Sequence, residues 1–410
     1  MTYIFKLFLN NLMAFYVLWG MLNMLGYKSY EGGMAKVTTV MCFLYAFSIR
    51  FRPIDVLLLI YIAYCLFSYG WGDVSLEIYA DGIVTQLMPI SMYFLMRMPQ
   101  FKNSTFLDDM KWPLLFSFIS ALFLYFINPS WYMAFKTQGW SYEYSGIMFY
   151  ERTRLSGFWP WPYFIGYMAL FYLMWEIKKL IDNKYRKDNI SLIISISSIF
   201  IALLVLFFAQ MRVTIAYFVI YCVLVYVYSS KVNKKKSRTF IKVLIIVIVA
   251  IFVLGLITLN YVDSDLIDYI LGRSINSESN IVTDRFGIFQ DYLSTISMFG
   301  EGLGSFSHFA RFFGKHYVSD CEYIRIPNEI GVFGFTLLLI ILLTIFHYGV
   351  RNFRFCFFEV SVMLFLFIAM IGAAPFEHLP LHPYFYWFCM GRIVTKYYKS
   401  NISKSGFVKI

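Results

Sequence analysis

Six arginines, Arg154, Arg212, Arg273, Arg285, Arg311 and Arg325, are the side chains best suited to chemistry in this sequence. A guanidinium presents a rigid fork that grips two phosphate oxygens at once, and it stays charged at any physiological pH. Arg212 makes the strongest demand. It lies in FFAQMRVT, between two long apolar runs, and no Asp or Glu occurs between Asp188 and Asp263. A cation at or near lipid is costly unless something neutralises it. Three solutions are open: a bound pyrophosphate, a carboxylate from a distant loop, or a side chain that snorkels to the interface.

The remaining candidates cluster between residues 261 and 328, where nine acids face five bases. Asp320, Glu322 and Glu301 are placed to accept a proton from a hydroxyl, as a general base must. Each is equally suited to a salt bridge. His316 stands four residues before Asp320 and reads as an exposed loop histidine or a displaced catalytic one. In DRFGIFQDYL a helix would put Arg285, Phe289 and Tyr292 on one face, suited to the membrane surface. The stretch FGEGLGSF carries Gly300, Gly302 and Gly304, whose alternation permits a tight turn or close approach of backbone to a ligand. No Lys-Ser/Thr follows, so a P-loop is excluded. Upstream, ERTRLSGFWPWPYFIGY brings Arg152, which Glu151 or Glu143 can neutralise, and Trp159 and Trp161, which fit an interfacial aromatic belt.

The elements that must position these residues follow from composition. Of 410 residues, 60% are hydrophobic and 14% charged, against about 25% charged in a soluble domain; the mean hydropathy is +0.64. Lipid offers no hydrogen-bond partners, so such a chain crosses it as helices of roughly 20 residues. The pattern predicts an all-α polytopic membrane protein with about 12 transmembrane helices and a long, partly helical outer loop. Predicted spans are 4–25, 34–49, 53–70, 76–96, 113–128, 158–177, 190–209, 213–229, 242–260, 329–348, 356–375 and 383–398, the fourth interrupted by Asp81 and Pro89. They divide the chain into N-terminal helices (1–128), an outer loop (129–157), central helices (158–260), a large outer loop (261–328) and C-terminal helices (329–410). Lys and Arg concentrate on the ends that are inner if the N-terminus is inside, so both termini are expected in the cytoplasm. The net charge of +11 is then an orientation signal facing anionic lipid and gives no reason to invoke nucleic acid. Five of the six cysteines fall in apolar spans, so no disulfide framework is expected, and no metal-ligand spacing occurs.

The order of RLSGFWPWP, an arginine in the hairpin AQMR, then TDRFGIFQDY, MFGEGLGSF and SDCEYIRIPNEIGVFGF resembles the O-antigen polymerase and ligase superfamily over roughly residues 150 to 345. The resemblance implies an enzyme of the bacterial inner membrane that transfers glycans between undecaprenyl-pyrophosphate-linked oligosaccharides, donor and acceptor, on the periplasmic side. It implies inversion at the donor carbon and neither metal nor cofactor. Arg212 and Arg285 match the family's arginines and would hold the donor pyrophosphate as it leaves. Arg154, Arg273, Arg311, Tyr292, His316 and Gly302 would line the substrate, and Asp320 or Glu322 would serve as base. A chain-length regulator and a flippase are the partners such an enzyme implies.

Ligases of this superfamily carry His-Asn before the last loop helix and polymerases more often Asp-Asn; here Asp320-Cys321 stands there, which favours the polymerase. Ligation to a lipid A core is the nearest alternative. A lipid-linked oligosaccharide transporter is the other, favoured by Asp81, Gly82 and Pro89 inside one span but opposed by the absence of internal repeats. A metal-dependent membrane glycosyltransferase is disfavoured, because the first outer loop offers only Glu31 where paired carboxylates are needed.

Overall fold

The computed structural model describes residues 49–98, 108, 110–127, 129, 155–157, 162–182, 189–209, 211–232, 292–315, 321–376 and 382–404. Among them every regular element is helical and none is a strand. In chain order these are α1 (Pro53–Phe67), α2 (Leu76–Gly82), α3 (Ser91–Arg97), α4 (Lys111–Ile127), α5 (Pro162–Ile181), α6 (Asn189–Phe208), α7 (Arg212–Val232), α8 (Glu322–Arg351), α9 (Phe353–Gly372) and α10 (His382–Lys404). Four stretches are long and apolar enough to cross a membrane: Pro53–Gly70, Asn189–Phe208, Glu322–Arg351 and Phe353–Gly372. They mark a membrane protein and correspond to the predicted spans 53–70, 190–209, 329–348 and 356–375. The predicted spans 76–96, 113–128, 158–177, 213–229 and 383–398 fall on shorter or more polar helices. Those at 4–25, 34–49 and 242–260 lie outside the described residues.

The helices obey local rules. Pro53 opens α1, where its missing N–H costs nothing, and the Asp55 carboxylate accepts the Arg52 N–H at 2.7 Å. Ser75 caps α2 by accepting the Ile78 N–H. The interruption expected at Asp81 and Pro89 is a change of helical gauge, because a π turn at Ile83–Leu87 and a 3-10 turn at Met88–Ile90 carry α2 into α3. Proline has no N–H for the helical ladder, and Thr85 Oγ1 adds a back-bond to the Asp81 carbonyl at 2.9 Å.

Two compact units emerge, one containing α4 to α7 and the other α1 to α3, residues 292–315 and α8 to α10. In the second unit polarity is inverted relative to a soluble protein. Leu59, Ile60 and Phe67 of α1 and Phe333, Ile340 and Leu343 of α8 are exposed, whereas Asp55, Glu322, Arg325, Glu329 and Glu359 are buried. Apolar surface outside and paired charge inside is the arrangement that lipid demands.

The second unit has two distinct ends. At one, Arg97 pairs with Asp55 at 3.0 Å, Arg52 lies over the Tyr398 ring at 4.7 Å, and Arg392 and Lys396 both meet Glu359. At the other, residues 297–304 pack on the end of α1 and on α8 near Gly331. Arg50, Arg97, Arg351, Arg354 and Arg392, all assigned to one side from the sequence, share the first end. We refer to the second as the loop end.

Candidate functional site

The loop end is organised by a break in α8. Gly331 adopts φ 71° and ψ 173°, a conformation open essentially only to glycine, and Pro327 precedes it. A break strands backbone groups that must find other partners in a buried setting. The carbonyls of Asn328 and Glu329 accept the N–H groups of Glu301 and Gly302, each at 2.9 Å, and the Ile330 carbonyl accepts from Tyr64 Oη at 2.9 Å. Beyond the break, the N–H groups of Val332 and Phe333 donate to the carbonyls of Ser297 and Met298. The stretch 297–302 therefore docks in the helix as a short splint.

This explains the alternating glycines. Gly300, Gly302 and Gly304 all have positive φ. A Cβ at Gly302 would meet Val74 and Gly72, one at Gly304 would meet the Ile78 carbonyl, and one at Gly300 would strike the backbone of Glu329 and Gly331. The close approach is to the protein's own backbone. The loop N–H groups are likewise spent internally: Gly300 on Ser297 Oγ, Leu303 on Ser68 Oγ, and Ser305 and Ser307 on the carbonyls of Gly302 and Gly304. They form no cradle for a phosphate, so of the two readings of Gly302 the turn is what its surroundings describe.

Below the splint lies a fully buried charge cluster. Arg325 donates through Nε and Nη2 to Glu322 Oε2 at 3.0 and 2.6 Å, and through Nη1 to Glu329 Oε1 at 2.8 Å. Gln86, from the π turn, donates to Glu329 Oε2, and the Phe376 N–H donates to Glu322 Oε1 at 3.0 Å. The cluster joins the π turn, α8 and the segment that follows α9. Two expectations change here. Arg325 belongs to no exposed phosphate clamp, because its charge is consumed by two carboxylates. Glu322 is not open to a substrate hydroxyl, since it is buried and both its oxygens accept protein donors. α8 begins at Glu322, ahead of the predicted span 329–348, and its break at Gly331 separates a short first helix from the long apolar run.

The surface of the loop end is aromatic and basic. Phe306, Cys321 and Ile324 form a small core beneath Tyr292 and Tyr323, with Tyr292 edge-on to Phe306 at 5.9 Å. Asn328 secures it, accepting from Thr295 Oγ1 at 2.7 Å and donating to the carbonyls of Tyr292 and Ile324. Tyr292 is thus half-buried and held, and Arg311 is exposed in the 3-10 turn Ala310–Phe313. Burial and then the Arg311 charge lower the pKa of half-buried His308. Lys315 reaches Asp73 at 2.9 Å.

Arg212 is the first residue of α7, whose ladder opens with the N–H groups of Thr214 and Ile215 on the Met211 carbonyl. A cation there opposes the helix dipole, and no acidic residue occupies the first turn. The side chain of Arg212, like Arg154, Arg273, Arg285, His316 and Asp320, lies outside the described residues. No metal-binding cluster of His, Cys, Asp or Glu occurs among the described residues.

Sequence reasoning missed Gln86, Asn328 and Glu329. The i, i+3 relation of Glu322 to Arg325 and the i, i+4 relation of Arg325 to Glu329 are visible in the sequence as a self-neutralising helical triad. No family model, curated protein or solved structure matches the chain.

Proposed function

We propose that this chain is a membrane glycosyltransferase that polymerises undecaprenyl-pyrophosphate-linked oligosaccharide repeat units on the periplasmic face of a bacterial inner membrane, an O-antigen polymerase. The observation that carries the reading is the position of Arg212 at the N-terminus of α7. A helix N-terminus and a guanidinium at one point both attract an anion. In a stretch without a carboxylate, the pyrophosphate of a lipid-linked donor is the anion with the right chemistry.

In this mechanism Arg212 and Arg285 neutralise the pyrophosphate as it departs, and the acceptor sugar hydroxyl attacks the donor carbon from the opposite face. The hydroxyl proton passes to Asp320 or to water. Arg154, Arg273, Arg311, Tyr292 and His316 are assigned in this reading to binding the lipid-linked glycans. MFGEGLGSF and EYIRIPNEIGVFGF, two of the motifs that carry the resemblance, are joined by hydrogen bonds.

A transporter is the reading that a broken helix would favour, because freed backbone groups coordinate cargo in such proteins. Here those groups are occupied by residues 297–302 and Tyr64, which argues for a fixed scaffold. The deciding experiment supplies purified protein with one lipid-pyrophosphate-linked repeat unit and analyses the product by gel and mass spectrometry. Polymerisation gives a ladder in steps of whole repeat units, without nucleotide sugar or added metal. Transfer only onto a lipid A core acceptor identifies a ligase. Transbilayer movement without a new glycosidic bond identifies a transporter.

A further inference from the structure

The segment Ala310–Phe313 presents two phenyl rings to the outside, with Phe312 66% and Phe313 47% exposed. They pack with Phe309 into one aromatic knob, with centroids 6.3 and 5.2 Å from it. Arg311 lies exposed within the knob and Lys315 follows it.

Three ties fix the depth of this knob. Leu303 N–H donates to Ser68 Oγ at 3.2 Å, Trp71 Nε1 donates to the Phe299 carbonyl at 3.0 Å, and Lys315 binds Asp73 through both its carbonyl and its carboxylate at 2.9 Å. All three hold the loop to residues 68–73, where α1 ends. The run Pro53–Gly70 has 18 residues, and a helical rise of 1.5 Å per residue makes it about 27 Å long, close to the ~30 Å of a hydrocarbon core. Residues 68–73 therefore emerge at the headgroup level, and the knob tied to them sits at the same depth. Exposed Phe67, Tyr69, Trp71, Met298 and Phe299 continue the apolar surface from α1 to the loop.

We propose that Ala310–Phe313 is a membrane-surface anchor. Phe312 and Phe313 enter the boundary between headgroups and acyl chains, while Arg311 faces anionic phospholipid headgroups. Phenylalanine has no polar handle for a sugar or for water, and aromatic rings beside basic side chains are the composition of an interfacial segment. The anchor would hold the loop end flat on the leaflet. The inference needs only that α1 spans the bilayer and is independent of glycosyl transfer.

The test places the photoreactive analogue p-benzoylphenylalanine at position 312 or 313 of the full chain, reconstituted in vesicles of phosphatidylethanolamine and phosphatidylglycerol. A third variant with the analogue at Ile340, exposed on α8, marks lipid contact in mid-span. After illumination, peptides containing 312 and 313 are expected to carry phospholipid adducts at a yield within about threefold of that at 340, enriched in phosphatidylglycerol. The Arg311→Gln change should abolish that enrichment. Crosslinks only to other segments of this chain, or no adduct at all, would overturn the proposal. If the analogue prevents insertion, Phe312→Trp in brominated lipid reads the same contact. Quenching beyond that of the wild-type tryptophans supports an anchor, and unchanged quenching refutes it.

Discussion

Gly302 donates its N–H to the carbonyl of Glu329 at 2.9 Å, and the side chain of that same Glu329 receives both Arg325 and Gln86. One residue thus couples the docked loop, through its backbone, to the buried charge cluster, through its side chain. The loop end behaves as a single piece, because displacing the splint exposes the helix break and displacing α8 breaks the ion pairs. If the chain binds the two lipid-linked substrates proposed above, this loop end would give their site the rigid support it needs.

Gly331→Ala should therefore be far more damaging than Gly314→Ala, although both positions have φ of 71°. At Gly314 ψ is 12° and a Cβ meets nothing within 4 Å, so the cost is that of the left-handed region alone, ~1–2 kcal/mol. At Gly331 the conformation is closed to alanine, and the new Cβ collides with the Met298 carbonyl. Strain of ~1–3 kcal/mol then adds to the loss of the splint. Thermal unfolding in lipid nanodiscs should show a small shift for Gly314→Ala and a large one, or no folded protein, for Gly331→Ala.

Arg325→Met should destabilise the second unit by ~3–5 kcal/mol, because it leaves two carboxylates buried without their counter-charge. The triple change Glu322→Gln, Arg325→Met and Glu329→Gln removes the charges together and should recover much of that loss. Unfolding measured by protease susceptibility in nanodiscs distinguishes the two. If Arg325→Met retained full stability and lost only activity, the arginine would be acting on substrate and the structural assignment would fail.

How far these residues could be read from sequence varied with how local their partners are. The span 53–70 matches the helical run Pro53–Gly70 because its signals are adjacent in the chain: Pro53 at the start, an uninterrupted apolar run, then SYGWG. The short helix that opens α8 ahead of the Gly331 break was harder to read, for the opposite reason. Hydropathy leaves Glu322, Arg325 and Pro327 outside the predicted span 329–348, since it has no way to register that the charges cancel within one helix. Glu329 and Gln86 are 243 residues apart, and nothing in either neighbourhood announces the other. The glycines were legible as a motif, while their purpose, filling a break in a helix that begins some twenty residues later, was not.

His308 supplies a pH test. Its folded-state pKa lies below the ordinary value near 6.5, through burial and then through Arg311, so the native state binds its proton less readily than the unfolded chain. Its contribution to stability is complete above about pH 6.5 and is lost as pH falls through the lower folded value. His308→Gln should flatten this part of the stability profile between neutral and mildly acidic pH. Arg311→Gln should move the folded pKa upward and narrow the window. Chemical denaturation at a series of pH values checks both, and superimposable profiles for the wild type and His308→Gln would remove the histidine from the account.

Arg212 separates function from architecture. As the first residue of α7 its backbone N–H lies outside the interior of the helical ladder. If its side chain serves the substrate and not the fold, Arg212→Ala should leave stability unchanged. If the residue holds a leaving pyrophosphate, turnover should fall by ~10²–10³, the usual consequence of removing one donor aimed at developing charge. Arg212→Lys should recover little, because a point charge cannot make the two parallel bonds of the fork. The measurement pairs initial rates of ladder formation with thermal unfolding of the same preparation. Full turnover in Arg212→Ala would remove pyrophosphate binding from this residue, and a joint loss of stability and turnover would make it structural. Only the combination of intact fold and lost turnover assigns the missing anion to the substrate.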